Sequence, residues 1–115
     1  MSSGAALAGS PLSGGYAGAK AAIRYIRDYA AAESERAGLG LRFVTLLPKL
    51  TPATGLGSAA VAGYAARQGV APDVYAKDLQ PVLTVAQVGA AVIAVAADPA
   101  SAPEYLLSGA GYRAL

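Results

Sequence analysis

The stretch LRFVTLLP, residues 41–48, decides how the rest of the chain is read. It is short and nearly continuously apolar, with no strict alternation. A strand at a sheet surface alternates apolar and polar side chains. A run that is apolar on both sides belongs to a strand covered on both faces, the usual condition of a parallel sheet. Gly38 and Gly40 separate it from what precedes, and Pro48 stops it. The expectation is a buried strand over 41–47 in an α/β protein.

Upstream, Tyr16, Ala19, Ile23, Ile26 and Ala30 recur at intervals of three and four, giving one apolar stripe on a helix over 16–37. Arg24, Arg27, Asp28, Glu33, Glu35 and Arg36 fill the remaining positions. Arg24 and Asp28 stand four apart, a spacing worth about 0.3 kcal/mol when such side chains pair. Ser13 is the candidate N-cap, and Gly38 and Gly40 close the helix as C-cap glycines do. Residues 1–15, MSSGAALAGSPLSGG, are small and lack periodicity, so they read as a strand remnant or a loop leading into the helix.

Downstream, KLTPATGLG (49–57) reads as a loop, followed by an alanine-rich helix over 58–68 and a further helical turn within 72–79. A third helix spans 84–97, with Val85, Val88, Val92 and Val95 on one face and Asp98-Pro99 at its end. EYLLS (104–108) is a second short strand, and Gly109 and Gly111 loosen the tail. Helix, strand, helices, strand is a crossover order, which predicts a parallel pair of strands. The 115 residues suit one small domain spanning 1–115.

Composition narrows the chemistry. The nine basic residues are scattered singly and net charge is +2, which does not make a nucleic-acid footprint. With no cysteine and no histidine, disulfides, thiolate metal sites, a catalytic zinc and a Ser-His-Asp triad are excluded. No basic start followed by an apolar core marks a secretory signal, so a cytoplasmic protein is expected. Leu79 to Ala97 is uncharged and near bilayer length. It contains Gln80, Pro81, Thr84 and Gln87 and is rich in alanine, which favours a buried soluble helix over a membrane span.

The stretch GSPLSGGYAGAK, residues 9–20, carries the one constellation suited to catalysis. Tyr16 and Lys20 lie four apart, on one face of a helix. A free phenol is too weak an acid to exchange protons at neutral pH, and a neighbouring ammonium favours its ionised form. Such a pair can pass a proton to a carbonyl or take one from an alcohol. Ser3 stands thirteen residues before Tyr16, far enough to return from a neighbouring strand end and orient a substrate oxygen. A lone Tyr-x-x-x-Lys also occurs as a plain surface pair. The stretch Gly55-Leu-Gly57-Ser-Ala-Ala60 formally matches a dinucleotide fingerprint, but seven residues separate it from Leu47, and it reads as loop glycines.

SSGAALAGSPLSGGYAGAKAA resembles the active-site segment of the short-chain dehydrogenases/reductases, whose signature is a serine, twelve residues, then Tyr-x-x-x-Lys. Ser3, Tyr16 and Lys20 meet it. The strand ending at Pro48, the helix near 84–97 and EYLLSGAG follow in the family's order. The resemblance implies a single partial domain over 1–115, the C-terminal portion of a Rossmann-like doubly wound parallel sheet without its N-terminal dinucleotide-binding half. It implies an oxidoreductase moving a hydride between NAD or NADP and an alcohol or ketone. Tyr16 would be the acid/base, Lys20 its helper and a ribose ligand, and Ser3 the holder of the substrate oxygen. Pro48, Leu50 and Thr51 would line the nicotinamide end, residues 1–15 would be the active-site loop, and 48–80 would hold the substrate-side loop and helices. Lys49 stands where the family has glycine.

The family's cofactor-binding half precedes the serine, and Met1 comes two residues before Ser3. This isolated chain is therefore expected to lack turnover. The alternative is a non-catalytic, self-associating or partner-binding module derived from that family. A two-strand sheet is rarely stable alone and leaves an unpaired edge. A homodimer or higher oligomer is expected, formed through the 84–97 helix and the last strand. Neither nucleic acid nor membrane is an expected partner.

Overall fold

The computed structural model describes residues 1–115. A 3-10 turn at Gly4–Ala6 precedes helix α1 (Gly14–Arg36), strand β1 (Thr45–Pro48), helices α2 (Gly55–Gln68), α3 (Pro72–Lys77) and α4 (Val85–Ala97), then strands β2 (Glu104–Ser108) and β3 (Gly111–Ala114). The protein is α/β, with four helices and a small mixed sheet in the order β1-β2-β3. β1 and β2 are parallel, with Thr45 opposite Glu104 and Leu47 opposite Leu106. β3 returns antiparallel on β2, with Leu107 opposite Tyr112.

Alternation along the strands gives the sheet two different faces. Leu46, Tyr105 and Leu107 point to one side and pack with Val44, Leu83, Val88, Ala91 and Val95, so α4 closes this face with apolar contacts. Thr45, Leu47, Glu104 and Leu106 point to the other side, which receives α1 and the 3-10 turn. Leu47 and Leu107 are fully buried, one on each face. This is the two-faced burial that the apolar run at 41–48 implies.

Several boundaries and faces differ from the sequence expectation. The strand starts at Thr45, because the Ser34 hydroxyl binds both the N–H of Leu41 (2.9 Å) and its carbonyl (3.1 Å) and so ties this segment to the end of α1. The ladder begins where Thr45 N–H donates to Pro103 O, and it includes Pro48. α1 begins at Gly14. Ser13 precedes it, but its hydroxyl caps nothing; it donates to Ser10 O and accepts from Ser10 N–H. α2 begins at Gly55, three residues early, because Thr54 accepts from Gly57 N–H. α4 begins at Val85, with Thr84 and Gln87 forming a reciprocal capping box.

The tail is a third strand rather than loose chain. Gly109 turns the hairpin against the Pro81 carbonyl, where a β-carbon would come within 1.9 Å of the oxygen. On α4, Ala91 and Val95 face inward, while Val85 (63% exposed) and Val92 (42%) do not share their face. No helix is long and apolar enough to cross a membrane.

The largest correction concerns α1. Its covered side runs through Ala17, Lys20, Arg24, Arg27, Ala31 and Ser34, about 90° around from the Tyr16–Ile23–Ala30 stripe at 100° per residue. Ile26, Tyr25 and Tyr29 are exposed. Arg24 pairs with Glu104 across the chain, and Asp28 pairs with Arg27 rather than with Arg24. The Leu107→Ala variant removes a fully buried side chain between β2 and α4. Urea unfolding should show it about 3 kcal/mol less stable, with the slope of the transition retained.

Candidate functional site

The C-terminal end of β1 gathers three separate segments. Ser2 is buried beside it: its N–H donates to Leu46 O (2.8 Å) and its hydroxyl donates to Lys20 O (2.7 Å). Gly4 lies against the turn after β1, with its β-carbon position 3.4 Å from Pro48 O and 3.6 Å from the Lys49 α-carbon. The Ser2–Gly4 segment, the Lys20 turn of α1 and Pro48–Lys49 therefore meet at one point. In parallel sheets, ligands bind outside this end of the strands.

Tyr16 lies one turn before Lys20 and is 44% exposed. The Lys20 ammonium sits 5.6 Å from the centre of the Tyr16 ring, a cation–π distance. Ser3 is half-buried, and its hydroxyl accepts from Ala5 N–H at 3.2 Å, closing its own short turn rather than bonding Tyr16. Ser3, Tyr16 and Lys20 thus share a neighbourhood without forming a hydrogen-bonded triad.

The residues after β1 are divided. Pro48 and Leu50 are half-buried, and Lys49 is exposed, with its N–H held by Leu107 O (2.9 Å). Lys49 borders a shallow cleft of about 220 Å³ that also touches Leu106, Ser108, Tyr112 and Arg113. The Thr51 hydroxyl donates to Leu83 O (2.6 Å) and so ties the loop to the segment before α4. Gly57 fits against Thr51 at a point where a β-carbon would lie 1.8 Å from the Thr51 carbonyl. Gly55–Ala60 is therefore a helix start, packed at Gly57 onto its own loop.

Two features escaped the sequence reading. One is Ser2, adjacent to the expected Ser3, which anchors the loop to both β1 and α1. The other is a charged cluster under α1. Arg24 grips Glu104 with two hydrogen bonds (2.8 and 2.7 Å), and Arg27 reaches the same carboxylate at 3.2 Å. The Glu104 side chain is 9% exposed and that of Arg27 is 14%. The Arg27 Nε is buried without a partner. The Arg24 hydrogen bonds hold the Glu104 carboxyl below the usual carboxylate range against the opposing effect of burial, and Glu104 raises Arg24 in turn. The visible signals were a lone acid opening an apolar strand and cations at 20, 24 and 27 on one helical face.

Comparison with family models, with curated proteins and with solved structures finds no match to this chain.

The lowered Glu104 carboxyl sets a pH dependence. A group whose folded value lies below its unfolded one stabilises the fold fully above the ordinary carboxylate range, about 4–4.5. That contribution fades as pH falls through the lowered folded value. Chemical unfolding from pH 7 to 2 should show stability dropping below about pH 4.5. In Glu104→Gln the protein should be roughly 3 kcal/mol weaker at pH 7 and this part of the acid loss should disappear.

Proposed function

We propose that this chain carries the proton-transfer part of an NAD(P)-dependent oxidoreductase acting on an alcohol or ketone, of the short-chain dehydrogenase/reductase type. The observation that carries this is the meeting of Ser2–Gly4, the Tyr16–Lys20 turn and Pro48–Lys49 at the C-terminal end of β1. The parallel β1–β2 pair with helices on both faces supports reading the sheet as the C-terminal portion of a Rossmann-like fold.

In this reading Tyr16 exchanges a proton with the substrate oxygen. Lys20 keeps positive charge beside the ring, which stabilises negative charge on the phenol oxygen as its proton leaves. Ser3 turns its hydroxyl from Ala5 N–H to the substrate oxygen, and its place is held by Ser2 on β1 and α1. Pro48, Leu50 and Thr51 border the nicotinamide end, with Thr51 acting through its bond to Leu83 O. The nicotinamide, when bound, supplies or accepts the hydride. In this reading a second unit holds the phosphate half of the cofactor, since Gly55 opens α2 only after the loop 49–54 and not directly from β1.

A second reading is a non-catalytic self-associating module. Its support is α4, whose thirteen residues carry no charge and leave Val85, Val92 and Ile93 outward.

Incubation of the 115-residue protein with NADPH and a ketone panel should give no turnover and no micromolar cofactor binding. Fusion to the dinucleotide-binding half of a short-chain reductase should create activity. Tyr16→Phe should then lower that activity by about 100-fold or more, with circular dichroism unchanged. Activity of the fusion that is indifferent to Tyr16→Phe would favour the module.

A further inference from the structure

We infer that the cleft between Lys49 and Arg113 binds the carboxylate of a small oxo or hydroxy acid. This names a substrate class for the reaction proposed above, and in that respect it rests on that reading. The strand registers place the lining side chains. Pro48 is opposite Leu107, so Lys49 comes next to Ser108, and Leu106 stands opposite Arg113. Every second residue of a strand shares a face. Lys49, Leu106, Ser108 and Arg113 therefore lie on the side of the sheet that receives α1 and the 3-10 turn. The two cations stand on either side of β2. Neighbouring strands are about 4.8 Å apart, so the two backbones are roughly 10 Å apart and both long side chains can reach one small anion above Ser108.

The charges of this cleft of about 220 Å³ are unmatched. No acidic side chain lines it. Arg24, Arg27 and Arg36 each pair with a carboxylate, whereas Lys49 and Arg113 pair with none. The Arg113 guanidinium makes only a long contact of 3.5 Å to Ala114 O. Two unmatched cations on one concave surface attract an anion. A guanidinium offers a carboxylate two parallel N–H donors, and an ammonium adds a compact charge. Leu106 and Ala110 supply apolar wall for a carbon chain, which favours an organic acid over a bare inorganic ion.

The cleft adjoins the candidate site. The β-carbon position of Gly4 is 3.6 Å from the Lys49 α-carbon and 3.8 Å from Leu106 Cδ1, so both of these residues border the cleft and the Ser2–Gly4 segment at once. A molecule held here by its carboxylate can extend its remaining atoms toward that segment and the Tyr16–Lys20 turn. Lys49 stands where the resembled family has glycine, so the second charge of the cleft is a feature of this chain.

The test reads binding rather than turnover, so it fails separately from the oxidoreductase reading. Levulinate, a small keto acid, is titrated into the 115-residue protein at low salt and followed by backbone amide shifts in NMR. It should bind with a Kd on the order of 1 mM, with shifts centred on Lys49, Ser108 and Arg113. Its uncharged methyl ester should bind at least about fivefold more weakly. Lys49→Gln and Arg113→Gln should each raise the Kd about fivefold, and Lys49→Arg should retain binding. Both positions are exposed, so these variants keep the fold. Equal affinity for acid and ester, shifts centred elsewhere, a Kd unmoved by both glutamine variants, or inorganic phosphate bound as tightly as levulinate would each overturn the assignment. Binding at the cleft beside an inert reductase fusion would retain the anion site and count against the oxidoreductase reading.

Discussion

The carboxylate of Glu104, held by Arg24 and Arg27, is the interaction on which the arrangement of this protein turns. Burying an acid at the start of β2 is costly unless cations meet it. The cations come from α1, eighty residues away in sequence for Arg24. That pairing fixes the rotation of α1 about its own axis. The guanidinium stripe faces the sheet, and the tyrosines at 25 and 29 face outward. Lys20 lies on the same stripe one turn before Arg24, so the same rotation brings its turn to the end of β1, where Ser2 binds its carbonyl. The candidate site and the outward tyrosines of α1 are thus two results of one ion cluster.

Part of this was legible in the residues. The two-sided apolar character of Thr45–Leu47 and the helix between the strands give the parallel pair, and EYLLS gives β2 at its full extent. The pairing of Tyr16 with Lys20 follows from their spacing alone, and the two side chains meet in space. The rest depends on contacts that local pattern does not encode. Periodicity picked Ile23 and Ile26 as the inward side of α1, since apolar residues are usually covered, and the pairing with the distant Glu104 goes with a helix turned by about 90°, with Ile26 exposed and Ile23 half-buried. The start of β1 was hidden in the hydroxyl of Ser34, which removes Leu41 from the ladder. The hairpin was hidden because Gly109 and Gly111 resemble loose chain, while Gly109 is required by the nearby Pro81 carbonyl.

The polar anchoring of one sheet face contrasts with the apolar packing of the other. α4 contributes Val88, Ala91 and Val95 to a continuous core, and its hold on the sheet is non-directional. α1 is held by a few directional bonds, at Ser2, Glu104 and Ser34. Directional bonds fix a rotation that apolar contact would leave adjustable, which suits a helix carrying the proposed proton-transfer pair at its start.

The measurement that bears most directly on this account is the coupling energy between Arg24 and Glu104. A double-mutant cycle of Arg24→Met and Glu104→Gln, followed by chemical unfolding at neutral pH, isolates it. Docking of α1 through its cations predicts a favourable coupling of about 1–3 kcal/mol. A coupling below about 0.3 kcal/mol would mean that the two side chains do not hold the helix, and the rotation of α1 derived from them would be wrong.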